Sequence, residues 1–176
     1  RYILPTFMRA AKKLQQKYPS LVVYIPSCRR DFDEIFKKAF RKYQVKGHVI
    51  SQKDNAKLKP YIYSLTKIAL CKSGTVNMEL ALYGIPQIVG YRVSRVTAFI
   101  AKKILNFKVR FISPVNLLVN KLIIPEFVQR EFDEKKIFYK SCKILEGKSE
   151  KIKIKKGYAF LKKELGEEGV VYRAAK

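Results

Sequence analysis

The chain has 176 residues, of which 48% are hydrophobic, which is enough for one domain with its own core. Lysine and arginine outnumber aspartate and glutamate by 38 to 14, so the net charge is +24. Such an excess indicates an anionic partner, such as nucleic acid, a lipid surface or a phosphorylated substrate, or else a lysine-rich solvated surface. No run of about 18 apolar residues occurs, which disfavours a membrane-spanning helix.

Three cysteines, Cys28, Cys71 and Cys142, lie far apart, and the chain has a single histidine. No CxxC motif occurs, so a zinc site is disfavoured, and we expect no metal and no cofactor. Cys71 belongs to a predicted buried strand and is expected to be a reduced thiol of the core. The cysteine pattern therefore indicates a reducing compartment.

Helical patterns alternate with short apolar runs along the first half of the chain. The predicted helices cover residues 3–17, 32–43, 56–66 and 76–83, and the predicted buried strands cover residues 21–25, 45–50, 68–71 and 87–91. This order predicts a Rossmann-like α/β fold, a parallel sheet with helices on both faces. Ligands bind such sheets at the carboxyl ends of the strands, so the candidate site loops are residues 26–30, 51–55, 72–75, 92–94 and 114–120.

The remaining residues complete a single domain. The pattern predicts a helix over residues 94–105, a strand over 111–113, and a helical tail over 131–176 that includes helices at 132–145 and about 150–165. Basic and apolar residues interleave along 94–105. This suits either an interfacial helix at an anionic lipid surface or a core helix with a solvated basic face. A last element is predicted from residue 170.

The most informative stretch, residues 68–92, reads as strand, turn, helix and strand. Ser73, Gly74 and Thr75 form the turn; we predict that Thr75 caps the helix and that free N–H groups here suit a phosphate. Gly84 stands where a helix ends in the left-handed conformation. Glu79 lies one turn after Thr75, where its carboxylate faces ligand hydroxyl groups or merely favours the helix dipole.

Three blocks of residues resemble the lipid-A-disaccharide synthase family, glycosyltransferase family 19. The first is Ser-Gly-Thr-Val-x-x-Glu-x-Ala-Leu-x-Gly-x-Pro at residues 73–86. The others are Phe-Ile-Ser-Pro-Val-Asn-Leu-Leu at 111–118 and Pro-Glu-Phe-Val-Gln at 125–129. Their order and spacing are similar to those of the family, over about residues 12–137. The chain departs from the pattern where proline does not directly precede Asn116 and where Asn120 replaces a glycine.

The resemblance implies the C-terminal, donor-binding half of a two-domain GT-B glycosyltransferase. It implies UDP-2,3-diacylglucosamine as donor and 2,3-diacylglucosamine 1-phosphate as acceptor, with inversion at the anomeric carbon and no metal. The acceptor domain and the general base would lie upstream, as would a Gly-Ser-Arg loop for the diphosphate. The fragment is therefore expected to hold no catalytic residue and to be inactive alone. The expected binding residues are Ser73, Gly74, Thr75, Glu79, Arg92, Asn116 and Gln129.

The same resemblance implies partners and a location. We expect a peripheral protein on the cytoplasmic side of the inner membrane, or in an organelle of bacterial origin, with an anionic membrane surface as partner. Related enzymes pair through their C-terminal halves, so a homodimer is also expected.

Two other functions stay open. The basic excess, with 11 tyrosines and 11 phenylalanines, suits a nucleic-acid-binding module, although no RNP, KH or zinc-finger pattern appears. Another GT-B UDP-sugar enzyme, such as a MurG-like transferase or a UDP-GlcNAc epimerase, would share the turn and Glu79 but lack the other two blocks. No GxGxxG or P-loop motif is present, which disfavours a dinucleotide or ATP fold.

Overall fold

A computed structural model describes residues 2–93 and 110–166 of the chain. The helix predicted over residues 94–105 and the element predicted from residue 170 lie outside the described residues. The helices are α1 Leu4–Lys17, α2 Arg30–Tyr43, α3 Gln52–Leu65, α4 Val76–Leu82, α5 Pro114–Val119, α6 Glu134–Glu146 and α7 Lys148–Leu165. The strands are β1 Val23–Pro26, β2 Gly47–Ile50, β3 Ala69–Lys72, β4 Gln87–Tyr91 and β5 Glu126–Val128.

All described strand pairs are parallel, which confirms the predicted α/β fold. β1 pairs with β2, with Val23 opposite Gly47. β3, β4 and β5 form a second sheet in that order, with Lys72 opposite Gly90 and Val89 opposite Glu126. The strands alternate with helices because each parallel connection must cross back over the sheet. We call β1 and β2 with their helices the first half, and β3 to β5 with α4 to α7 the second half.

The main core lies in the second half. Ile88 and Val89 of β4 are fully buried, and apolar side chains of α4, α5 and α7 pack around them. The described part of the predicted helical tail belongs to this core, because Ile154 and Leu161 of α7 are buried in it. The prediction that β1 is buried is only half right, because its side chains alternate between half-buried and exposed. Tyr24 is exposed and stacks on His48, with 5.6 Å between the ring centroids.

Two predictions about the loops are wrong, and both errors come from serine caps. Residues 51–55 are not a loop but the start of α3, where the Ser51 hydroxyl accepts from the Asp54 N–H. Residues 114–120 are mostly helix α5, because Ser113 caps it by accepting from the Asn116 N–H at 3.2 Å. Asn120 ends α5 with a left-handed φ of 48°, a conformation that glycine adopts at no steric cost.

The strand predicted over residues 111–113 is also wrong. The backbone N–H groups of Ile112 and Ser113 donate to the side-chain carboxylate of Glu126, at 2.7 and 3.0 Å. A strand would need these donors for a neighbouring backbone. The segment is therefore tied to β5 by a carboxylate instead of a ladder of main-chain bonds.

Candidate functional site

The turn between β3 and α4 is held from two sides. The Ser73 hydroxyl donates to the carbonyl of Ile112, and the Gly74 N–H donates to Asn77 Oδ1 at 2.8 Å. Thr75 occupies the N-cap position of α4, as predicted, but its side chain makes no capping hydrogen bond. Instead, the Asn77 side chain reaches back from the first turn of α4 and accepts from the Gly74 N–H, which is therefore already engaged. Within the described chain the Thr75 N–H has no acceptor, so it is available as a donor.

Glu79 lies on the side of α4 that faces α3. Its carboxylate forms an ion pair with Lys59 of α3, and one third of its side chain remains exposed. Burial and the neighbouring Glu79 carboxylate raise the pKa of the Tyr63 phenol to about 12. Glu79 is thus paired but accessible, and a ligand hydroxyl would reach it from solvent. Gly84 ends α4 with φ of 70°, as the sequence predicts.

Asn116 is fully buried and its amide is saturated by the protein. Its Nδ2 donates to the Ile124 carbonyl at 2.8 Å and to Glu126 Oε1 at 2.7 Å. Its Oδ1 accepts from the N–H groups of Ile123 and Ile124, at 2.8 and 3.0 Å. An amide side chain has two donor hydrogens and two acceptor positions, and all four are used here. In this conformation Asn116 fastens the segment before β5 to α5.

Glu126 joins the three sequence blocks into one network. Its Oε1 accepts from the Ser113 hydroxyl at 2.6 Å and from Asn116, while its Oε2 accepts from the Ile112 N–H. The Ile112 carbonyl in turn accepts from Ser73. We call Ser73, Ile112, Ser113, Asn116 and Glu126 the Glu126 network. The sequence placed Glu126 in a matched block without a role. In the structure it holds the second block, and Ile112 of that block contacts Ser73 of the first.

Arg92 and Gln129 meet through the main chain. The Arg92 guanidinium donates to the Gln129 carbonyl at 3.0 Å and to the Phe132 carbonyl, and it lies 5.4 Å from the centre of the Phe132 ring. Gln129 has a left-handed φ of 53°, which is uncommon outside glycine. Glu126 belongs to β5, whereas Gln129 begins the short 3-10 helix Gln129–Glu131 that follows it.

The residues predicted to form one site therefore lie in three groups. Ser73 and Asn116 share the Glu126 network, Arg92 contacts Gln129, and Glu79 contacts α3. The first two groups and the turn sit close together, since Lys72 pairs with Gly90 and so the residues that follow β3 and β4 leave the same edge of the sheet. No hydrogen bond or ion pair of the described chain joins Glu79 to Asn116.

A second buried network was missed by the sequence analysis. Asn77 and Gln87 are fully buried and hydrogen-bonded to each other, and Gln87 also donates to the Tyr158 hydroxyl at 3.1 Å. The signal was present, because Asn77 and Gln87 are neutral polar residues inside otherwise apolar runs and must find partners when buried. What the sequence could not show is that α7 brings Tyr158 to them.

Two further kinds of site are absent from the described residues. In that part of the chain, no group of three or more histidine, cysteine, aspartate or glutamate side chains is arranged to hold a metal ion. None of the helices described is both long and apolar enough to cross a bilayer.

Known proteins are similar to this chain over its whole length. The sequence model of the lipid-A-disaccharide synthetase family matches residues 1–174. The chain belongs to this family. A lipid-A-disaccharide synthase from Prochlorococcus marinus (strain MIT 9313) is 43% identical over the whole chain. Those from Gloeothece citriformis (strain PCC 7424) and Synechocystis sp. (strain PCC 6803) are 35% and 32% identical over 99% of it.

Membership of the lipid-A-disaccharide synthetase family confirms the resemblance carried by the three blocks. The match also extends beyond residues 12–137, the range over which the similarity could be recognised from the sequence. The chain spans 45%, 44% and 43% of the lengths of these three relatives, a little under half of each.

Proposed function

We propose that this chain is the nucleotide-sugar-binding part of an inverting glycosyltransferase that makes the lipid A disaccharide. The donor would be UDP-2,3-diacylglucosamine and the acceptor 2,3-diacylglucosamine 1-phosphate. Support comes from the family and from the names of the relatives. The observation that carries the proposal is the Glu126 network, because it draws the three sequence blocks together beside the turn that follows β3. Parallel sheets bind ligands at that edge.

The turn and Arg92 would receive the diphosphate. Thr75 is exposed and offers its hydroxyl and its N–H, and Ser73 and Gly74 set the path of the turn. Arg92 follows the adjacent strand and is partly exposed, so its positive charge would stabilise the charge that develops as UDP leaves. Gln129 would act through its carbonyl, which holds Arg92.

Glu79 would accept hydrogen bonds from hydroxyl groups of the ribose or the sugar. Its exposed third faces solvent, and the ligand would share the carboxylate with Lys59. Asn116 would act by shaping the site, since its amide is fully used inside the protein. We assign the general base and the acceptor site to the rest of the longer protein. The isolated chain would then bind the nucleotide without turning it over.

The charge and the lipid substrates also support a location. With a net charge of +24, the protein would sit peripherally at an anionic membrane surface, on the cytoplasmic side of the inner membrane. Pairing of two copies through this half is part of the same proposal.

Titration of UDP into the 176-residue chain tests the proposal. We expect saturable binding by calorimetry, weakened about tenfold or more in Glu79→Ala by loss of charge-assisted hydrogen bonds. Glu34→Ala is the control, because Glu34 is also paired with a lysine, Lys37, but lies in α2 of the first half. Absence of a UDP response, together with tight oligonucleotide binding that falls steeply with salt, would contradict the proposal and favour a nucleic-acid module.

A further inference from the structure

The buried network of Asn77, Gln87 and Tyr158 runs from α7 to the turn after β3. The Tyr158 hydroxyl donates to the Ile85 carbonyl at 2.9 Å and accepts from Gln87 Nε2 at 3.1 Å. Gln87 Oε1 then accepts from Asn77 Nδ2 at 3.0 Å. Asn77 Oδ1 finally accepts from the Gly74 N–H at 2.8 Å. One continuous chain of hydrogen bonds therefore joins the C-terminal helix to the turn.

The direction of each bond is set by the one before it. The Tyr158 hydroxyl donates its hydrogen to the Ile85 carbonyl, so it can only accept from Gln87. The NH₂ group of Gln87 must therefore face α7. The Gln87 oxygen then faces Asn77, which must turn its own NH₂ group inwards. Only in this orientation does the Asn77 oxygen face the Gly74 N–H. The carbonyl of Asn77 supports the same orientation by accepting from Gln87 Nε2 at 2.9 Å.

The network is neutral and enclosed. Asn77 and Gln87 have no exposed surface, and Tyr158 is 2% exposed. Burial raises the pKa of the Tyr158 phenol above its usual range. The Cys71 thiol donates to Gln87, and burial raises its pKa to about 12. Hydrogen bonds between neutral groups are strong in an apolar environment, because a group that lost its partner could not form a hydrogen bond to water instead. Their orientation therefore persists and reaches the turn.

Stability alone does not explain this arrangement. Apolar residues of similar volume could fill the same space, and replacing both partners of a buried hydrogen bond by apolar groups is often nearly neutral. What apolar residues could not do is accept a hydrogen bond from the Gly74 N–H, as the Asn77 side chain does. On its Cβ side Gly74 meets no neighbour, with nothing within 4 Å of an added Cβ.

We propose that Asn77, Gln87 and Tyr158 are positioning residues for the nucleotide, which set the conformation of the Ser73–Thr75 turn and make nucleotide affinity depend on α7. This inference rests on the proposed function, because the ligand of the turn is the UDP part of the donor. None of the three touches the ligand. Tyr158 lies 83 residues after Thr75 and reaches the turn only through Gln87 and Asn77.

The test measures UDP affinity in three variants of the 176-residue chain. Asn77→Ala removes the acceptor of the Gly74 N–H and should weaken UDP binding about tenfold. Tyr158→Phe removes one hydroxyl at the far end of the network and should weaken it about fivefold. The double variant should lose about tenfold, as Asn77→Ala does, because both changes release the same turn. Independent effects would multiply to about fiftyfold.

A matched control separates positioning from stability. Ser141→Ala also removes a fully buried hydroxyl that donates to a backbone carbonyl, that of Ile137 at 2.7 Å, but it lies in α6. Both variants should lower the thermal midpoint, yet only Tyr158→Phe should weaken UDP binding. Amide hydrogen exchange gives an independent readout in the unliganded chain, where Gly74 should exchange faster in Tyr158→Phe than in the wild type or in Ser141→Ala.

The outcomes distinguish the two proposals. Wild-type UDP affinity in a folded Tyr158→Phe overturns the inference, whatever the Gly74 amide does. A double variant that loses the full product of the two effects also overturns it. A wild-type chain with no saturable UDP response overturns the proposed function and the nucleotide role, even where Gly74 exchange still depends on Tyr158.

Discussion

The two halves of the molecule use polar groups differently. In the first half, Tyr24 and His48 stack on an exposed strand face, and the buried side-chain atoms without a hydrogen-bond partner in the described chain, Thr6 Oγ1, Asp33 Oδ1 and Asn55 Oδ1, all lie there. In the second half, the Glu126 network and the Asn77–Gln87–Tyr158 network are fully bonded beside a buried strand. Polar burial is costly unless it is paired. In the second half, buried and paired polar groups therefore fix the loops, and these loops carry the candidate site.

Core truncation should give the largest difference between the halves. Ile88→Ala empties a fully buried position in β4 and should lower the free energy of unfolding by about 4 kcal/mol. Ile25→Ala in β1, at a half-buried position, should cost about 2 kcal/mol. Urea denaturation of both variants measures the two losses. Equal losses would show that the two sheets are buried alike.

Removing the Glu126 carboxylate should come next. Glu126→Ala leaves the N–H groups of Ile112 and Ser113 and the amide of Asn116 without their acceptor, and should cost about 3 kcal/mol. Glu34→Ala is the control, because this carboxylate is exposed and paired only with Lys37 on the same helix. It should leave the urea midpoint unchanged. A Glu126→Ala variant as stable as Glu34→Ala would show that the Glu126 network does not stabilise the fold.

The alternation of elements in the sequence was enough to predict the parallel α/β fold, because the 3.6-residue and short apolar patterns report which faces are buried. It was not enough for short capped elements. Ser51 begins α3 four residues earlier than predicted, and Ser113 begins α5 where only a loop was predicted. A serine N-cap resembles a turn residue until its partner is known.

The site was recognised in pieces but not in its connections. Ser73, Asn116 and Glu126 belong to blocks that the sequence identified, and a side chain in one block bonds to the backbone of another. Such contacts span 10 to 39 residues, and sequence spacing carries no information about them. For the same reason the hydrogen bond between Tyr158 and Gln87, which are 71 residues apart, could not be predicted from the sequence.

Acid should produce the smallest effect, at the junction of α6 and α7. The Lys140 ammonium bonds to Glu150 and holds the pKa of this carboxyl below its ordinary value of 4.5. A depressed folded pKa contributes stability that is present above pH 4.5 and is lost as pH falls through the folded value. Glu150→Gln should therefore cost up to about 0.5 kcal/mol at pH 7, and the difference from wild type should shrink as the pH falls below 4.5 and vanish once the pH is below the folded pKa.

Thermal unfolding of the wild type and Glu150→Gln between pH 7 and pH 3 measures that difference. A gap between the two midpoints that widens as the pH falls would have the wrong sign for this pair. Such a result would place the acid sensitivity of the second half in another group.

The most direct test of the candidate site is a UDP titration followed by backbone amide chemical shifts. We predict saturable shifts at residues 73–79 and at Arg92, with β1 and β2 unchanged, because the turn and its neighbouring strand end lie at one edge of the second sheet. Saturable shifts confined to the first half, or no saturable shift at any concentration, would contradict the assignment of the nucleotide to the turn after β3.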